Sequence, residues 1–166
     1  MKKILVILLV AFVLIQFFRI DQTNPAVNKG MDFLTIKQTP EPIASTIRNA
    51  CYDCHSNETK YPWYTNVQPV AWFMQNHIEE GRKHLNFSIY STYEPKRQVR
   101  KMEEAAEMIQ NGEMPLESYV LGHPEAKLTD AQKAELMNYF KRTGSETQLG
   151  NSLPAVEPKE EEREFE

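Results

Sequence analysis

Cys51-Tyr52-Asp53-Cys54-His55 is the stretch around which this 166-residue chain is organised. Two cysteines three positions apart, with a histidine directly after the second, form the attachment sequence of a c-type haem. The spacing has a chemical reason. Two thiols must reach the two vinyl groups on one edge of a porphyrin, and three residues of helical or near-helical chain bring both sulfurs to one side. His55 then stands where a ring nitrogen can bind iron as the proximal ligand. Three other readings are weaker. A redox-active dithiol normally opens a helix in a strand-helix pattern, and no such pattern surrounds this motif. Zinc would need Cys51 and Cys54 to recruit two of His55, His77, His84 and His123, whose gaps fit no finger spacing. A plain disulfide leaves His55 unexplained. The motif therefore predicts one haem c, held covalently at Cys51 and Cys54.

Working outward, every periodic segment is helical. Pro42 suits a first helical position, and Ile43, Ile47 and Ala50 follow at helical spacing, which predicts a short helix running into the motif. After an aromatic loop, Tyr61-Pro62-Trp63-Tyr64, Pro69 opens a second helix with Val70, Phe73, Met74, His77, Ile78 and Gly81 on one stripe. A third is expected over residues 96–111, with Val99, Met102, Ala106 and Ile109 inward and Gly112 as its stop. A fourth starts at a capping box, Thr129-Asp130-Ala131-Gln132, carries Leu136, Tyr139 and Phe140, and should end at Gly144. No alternating strand of any length is present. The expected fold is all-α, with one compact haem-binding domain over residues 42–146.

The flanks have their own signatures. Ile4 to Phe18 is apolar except for Gln16, and Lys2 and Lys3 precede it. Such a run reads as an export signal or a membrane anchor. Counted to Ile20 it would span about 26 Å as a helix, slightly short of a ~30 Å hydrocarbon core, a gap that snorkelling by Arg19 and local thinning could cover. No small-residue cleavage site follows, so residues 1–20 are expected to be an uncleaved single-pass transmembrane helix in the inner membrane, with the haem domain facing the periplasm. Residues 21–41 show no helical period and carry Pro25, Gly30 and Pro40, which reads as a tether. Residues 147–166 turn polar and then acidic, the composition of a disordered tail.

The net charge of −4 equals that of residues 157–166 alone, so the remainder is balanced and lacks the positive surface that nucleic-acid binding requires. Only two cysteines are present, which leaves no disulfide framework.

The second axial position separates an electron carrier from a ligand-binding haem. Met114 is the foremost candidate, because Gly112-Glu113-Met114-Pro115 follows a helix end and the proline stiffens a loop that could present the thioether. Met74, Met102 and Met108 fall at helical spacing and read as core. His77, on the apolar stripe, is the alternative distal ligand, and it could equally be a core histidine or a partner of a haem propionate. Trp63, Tyr64, Trp72, Phe73 and Tyr119 could wall the cofactor or simply pack the core.

The blocks Cys51 to Asn57, Tyr61 to Tyr64, His77 to Arg82, Leu85 to Ser88, Gly112 to Tyr119 and His123 to Ala126 together closely resemble the small, cytochrome c-like haem-binding domain family, over residues 42–140. The resemblance implies covalent haem at Cys51 and Cys54, ligation by His55, and distal ligation by Met114. Two functions are then in view. One is a membrane-anchored mono-haem cytochrome that passes single electrons to redox partner proteins and is not an enzyme. The other is a haem-based sensor or peroxidase-like enzyme with an open or displaceable sixth position, for which His77 and Arg82 are the evident polar groups.

Overall fold

The apolar run at the N-terminus makes a shorter helix than its composition suggests. In the computed structural model, which describes residues 1–151, α1 covers Lys2–Ile15. Fourteen residues rise only about 21 Å. Its end is also claimed by the domain. Gln16 Nε2 donates to the Gln68 carbonyl at 3.1 Å, and Gln16 Oε1 accepts from the Gln68 amide at 2.9 Å. The Phe18 carbonyl accepts from Gln68 Nε2 at 2.7 Å and from the Trp72 indole at 3.2 Å. Among the described residues no helix is long and apolar enough to cross a membrane. The transmembrane helix expected over residues 1–20 is therefore corrected: the one polar residue in the run, Gln16, sits where the helix stops and turns the chain onto the domain.

The chain divides into two units, Met1–Ser91 and Thr92–Glu166, where sequence periodicity alone suggests one. No strand occurs among the described residues.

In the first unit the expected tether is structural. Asp32 caps the single-turn helix α2 (Phe33–Ile36) by accepting from the Leu34 amide at 3.0 Å. The same buried carboxylate accepts from the Tyr52 hydroxyl at 2.9 and 3.1 Å. Phe33 is fully buried, its ring centroid 5.3 Å from Phe87 and 4.9 Å from Tyr90. Upstream, Gln22 donates to the Thr65 carbonyl at 3.0 Å and Asn24 to the Thr59 carbonyl at 2.8 Å. This stretch lacks a helical period because side-chain amides, rather than an amphipathic face, tie it to the domain.

Then α3 (Glu41–Ala50) carries Pro42 in its first turn and buries Ile43, Ala44, Ile47 and Ala50. It gives way at Cys51 to α4 (Tyr52–His55), one turn holding the rest of the motif. Tyr52 points inward and stacks on Phe87 at 5.5 Å. A short 3-10 turn holds Trp63–Asn66, and α5 (Val70–His84) follows, with Pro69 as its N-cap.

In the second unit α6 (Pro95–Gln110) packs against α8 (Asp130–Gly150), with α7 (Glu117–Gly122) between them in sequence. Gly112, at φ +76°, ends α6 in the arrangement that favours glycine: its amide reaches the Ile109 carbonyl at 3.1 Å and the Glu113 amide reaches Met108 at 2.9 Å. The capping box at Thr129 and Gln132 is formed. Gly144 does not stop α8, which continues to Gly150. A lone glycine costs a helix only about 1 kcal/mol against alanine, and Thr147, one turn beyond it, is still buried. Residues 152–166, most of the expected acidic tail, lie outside the described residues.

If residues 32–34 belong to the core, Phe33→Ala should cost about 3 to 5 kcal/mol in urea unfolding of the protein. A change below about 0.5 kcal/mol, as for a surface site, would restore the tether reading.

Candidate functional site

The motif is one tight turn whose shape follows from where α3 ends. The Cys51 amide still reaches the Ile47 carbonyl at 2.9 Å, so Cys51 closes α3. Its own carbonyl accepts from the Cys54 amide at 3.2 Å and the His55 amide at 2.8 Å, so Cys51 also opens α4. Both cysteines are free thiols and half-buried.

The turn is seated on α5 by a glycine. A Cβ on Gly81 would stand 2.7 Å from the Cys54 carbonyl oxygen and 3.1 Å from Cys54 Cβ. Any side chain there would push the second cysteine away. One turn on, the Leu85 amide closes the helix on the Gly81 carbonyl at 2.9 Å. The Leu85 carbonyl lies 3.0 Å from His55 Nδ1. A carbonyl can only accept, so Nδ1 carries the proton and Nε2 is the nitrogen whose lone pair can bind a metal.

Below the turn, short polar side chains hold the following loop. The Ser56 hydroxyl donates to the Tyr52 carbonyl at 2.7 Å, the Asn57 amide donates to Ser88 Oγ at 3.0 Å, and Asn86 donates to Asn57 Oδ1 at 2.8 Å. Thr59 donates to the Asp53 carbonyl at 2.6 Å. Arg82 donates through Nε to the Ser56 carbonyl at 2.8 Å.

The donor set fits a covalently held haem. Two thiols and a histidine of fixed tautomer share one turn. The α5 stripe that begins at Gly81 continues through His77 and Met74 to Phe73 and Val70, which are 50% and 42% exposed. An apolar macrocycle beside the cysteines suits that uncovered face. Burial, then the neighbouring Cys54, pushes the Cys51 thiol up to about 12. Burial, then Asp53, pushes Cys54 up to about 11, with Arg82 pulling the other way. Burial, followed by the adjacent Asp32 carboxylate, carries Tyr52 far above the ordinary phenol range.

The remaining expected site residues distribute unevenly. Trp63 is 79% exposed and meets half-buried Tyr64 edge-on at 5.9 Å. His77 Nδ1 donates to the Phe73 carbonyl at 2.8 Å, inside its own helix. His84 pairs with Glu80 at 3.6 Å. Met114, half-buried, and His123, 3.3 Å from Glu125, belong to the second unit. Met102 is fully buried. Gly81, Leu85 and Asp32 escaped the sequence reading as site residues. Gly81 alone carried a signal, as the smallest residue on an otherwise bulky stripe.

A family model for a haem-binding domain matches residues 10–142, and the chain belongs to that family. Haem is accordingly its cofactor. No curated protein and no solved structure matches the chain.

Gly81→Ala should lower stability in unfolding experiments even though alanine is the better helix former by roughly 1 kcal/mol. It should also reduce haem incorporation; equal or greater stability would show that α5 does not press on Cys54. A second expectation concerns pH. Thiols with raised folded-state pKa values keep their protons where those of the unfolded chain ionise. The haem-free protein should therefore hold its full stability below about pH 9 and lose it progressively toward about pH 11 to 12. Replacing both cysteines by alanine should flatten that decline relative to wild type; an identical pH dependence in the two proteins would refute the burial of the thiols.

Proposed function

We propose that this protein is a mono-haem c-type cytochrome that works outside the cytoplasm, in the periplasm, as a carrier of single electrons. Haem is bound covalently by Cys51 and Cys54, with His55 as the proximal ligand and Met114 as the second axial ligand. The observation that carries this reading is the attachment turn itself: two thiols on one turn, with His55 Nδ1 committed to the Leu85 carbonyl. The bond to Leu85 orients the imidazole and raises the basicity of Nε2. Bound at these residues, haem supplies a one-electron iron couple whose potential follows its axial ligands and the charges around it.

Met114 is assigned from its place in the sequence, in the loop after the Gly112 helix stop. A thioether there would set the potential higher than a second imidazole. The periplasmic location follows from the attachment chemistry, since c-type haem is joined to its protein outside the cytoplasm. Redox partners are the remaining implied interaction.

The peroxidase-like alternative is weakened by the environment of its two polar groups. Arg82 is engaged with the loop after His55, and His77 Nδ1 is engaged within α5. Neither arrangement provides a paired acid and base of the kind oxygen-oxygen bond cleavage needs.

Protein produced with periplasmic haem-attachment machinery tests the assignment. Wild type should retain haem through denaturing electrophoresis and show a low-spin spectrum with the weak far-red sulfur-to-iron band when oxidised. Replacing Cys51 and Cys54 by alanine should abolish the retained haem. Met114→Ala should remove the far-red band and open the reduced protein to rapid carbon monoxide binding. A spectrum unchanged by Met114→Ala would move the sixth ligand elsewhere. A high-spin wild type would favour the sensor or enzyme reading.

A further inference from the structure

Arg82 stands beside Gly81 in the last turn of α5, and among the described residues its guanidinium is bound by neutral groups. Nε donates to the Ser56 carbonyl at 2.8 Å, and Nη2 donates to Asn24 Oδ1 at 2.7 Å and Thr59 Oγ1 at 2.9 Å. These partners connect it to the motif from both sides. Ser56 is the residue after His55. Thr59 in turn holds the carbonyl of Asp53, the residue before Cys54, at 2.6 Å. Asn24 also steadies Thr59, donating to its carbonyl at 2.8 Å. Asp21 and Glu79 line the same shallow cleft as Arg82, but among the described residues no ion pair includes it.

A half-buried cation held by dipoles keeps much of its field, because no described carboxylate is paired with it and water screens it only in part. That field reaches the motif: the guanidinium is in direct contact with the Ser56 carbonyl, one residue after His55, and with Thr59, which holds the Asp53 carbonyl. Reducing a ferric haem removes one positive charge, so a fixed cation nearby favours the reduced form.

We propose that Arg82 is a positioning residue that holds the haem-attachment turn in register and, as a fixed positive charge beside it, raises the reduction potential of the bound haem. The inference rests on the haem c reading above. It assigns Arg82 a role on the attachment side of the cofactor, distinct from a distal catalytic one.

Full-length haem-loaded protein provides the test, with midpoint potential measured by spectroelectrochemistry and amide exchange measured at Lys60. The Lys60 amide donates to Asp53 Oδ1 at 3.1 Å and so reports on the register of the turn. Arg82→Gln should shift the midpoint to lower potential and speed exchange at Lys60. Arg82→Lys, which keeps the charge but loses the fork, should keep the midpoint near wild type while still speeding exchange. Asn24→Asp leaves the guanidinium in place and sets a carboxylate against it, so it should also lower the midpoint. If Arg82→Gln yields no haem-loaded protein, Asn24→Asp decides the charge effect alone. Unchanged or higher midpoints in Arg82→Gln and Asn24→Asp would overturn the inference while leaving the haem c reading intact. So would an Arg82→Lys midpoint as low as that of Arg82→Gln. A wild type without covalent haem would instead defeat the underlying reading, and this inference with it.

Discussion

The hydrogen bond from His55 Nδ1 to the Leu85 carbonyl is the constraint from which the arrangement of the first unit follows. It selects a tautomer, and it also demands that the last turn of α5 end beside the motif. That carbonyl is available because α5 stops at His84 and Leu85 is extended, at φ −146° and ψ 124°. The end of α5 can lie so near because residue 81 has no side chain to meet the Cys54 carbonyl. A helix terminus, a missing Cβ and an imidazole thus act as one device. Its parts span 30 residues of sequence, from His55 to Leu85, and none of them is chemically unusual alone.

The two units are built differently. Unit Thr92–Glu166 relies on an apolar seam between α6 and α8, with Val99, Met102, Ala106, Leu136 and Phe140 all buried. Near the motif, much of the order comes from small polar side chains: Ser56, Asn57, Thr59, Asn86 and Ser88 are all buried and hydrogen-bonded to one another or to nearby backbone. Buried polar groups are costly when unmatched and directional when matched. A lattice of them suits a turn that must hold two sulfurs and a nitrogen in fixed relative positions, a precision that a purely greasy contact does not impose.

Much of the helical content was legible because amphipathic spacing and terminal signals are local. The second stripe from Val70 to Gly81, the Gly112 stop and the Thr129 capping box all depend on residues within a few turns of one another. Three readings failed for a shared reason. The apolar run at residues 4–18 was judged by hydropathy, but Gln16 and Phe18 find partners at Gln68 and Trp72, more than 50 residues away. Residues 21–41 looked unstructured because their anchors, from Gln22 and Asn24 to Phe33, answer to Thr59, Thr65, Phe87 and Tyr90. Gly144 looked like a terminator, yet the helix still has buried residues to place beyond it.

The sequence by itself determined the spacing of the two thiols and the imidazole, Cys51, Cys54 and His55, because chain order alone places them within one turn of each other. It also determined the all-helical character, because a period of 3.6 residues is written in the order of apolar side chains. Tertiary structure alone decided which nitrogen of His55 carries the proton, why residue 81 is glycine, that Asp32 anchors Tyr52, and that Arg82 lies against the motif with no ion pair among the described residues. Each of these is a contact between residues at least 20 positions apart, and such a contact leaves no periodic trace in the segments that make it.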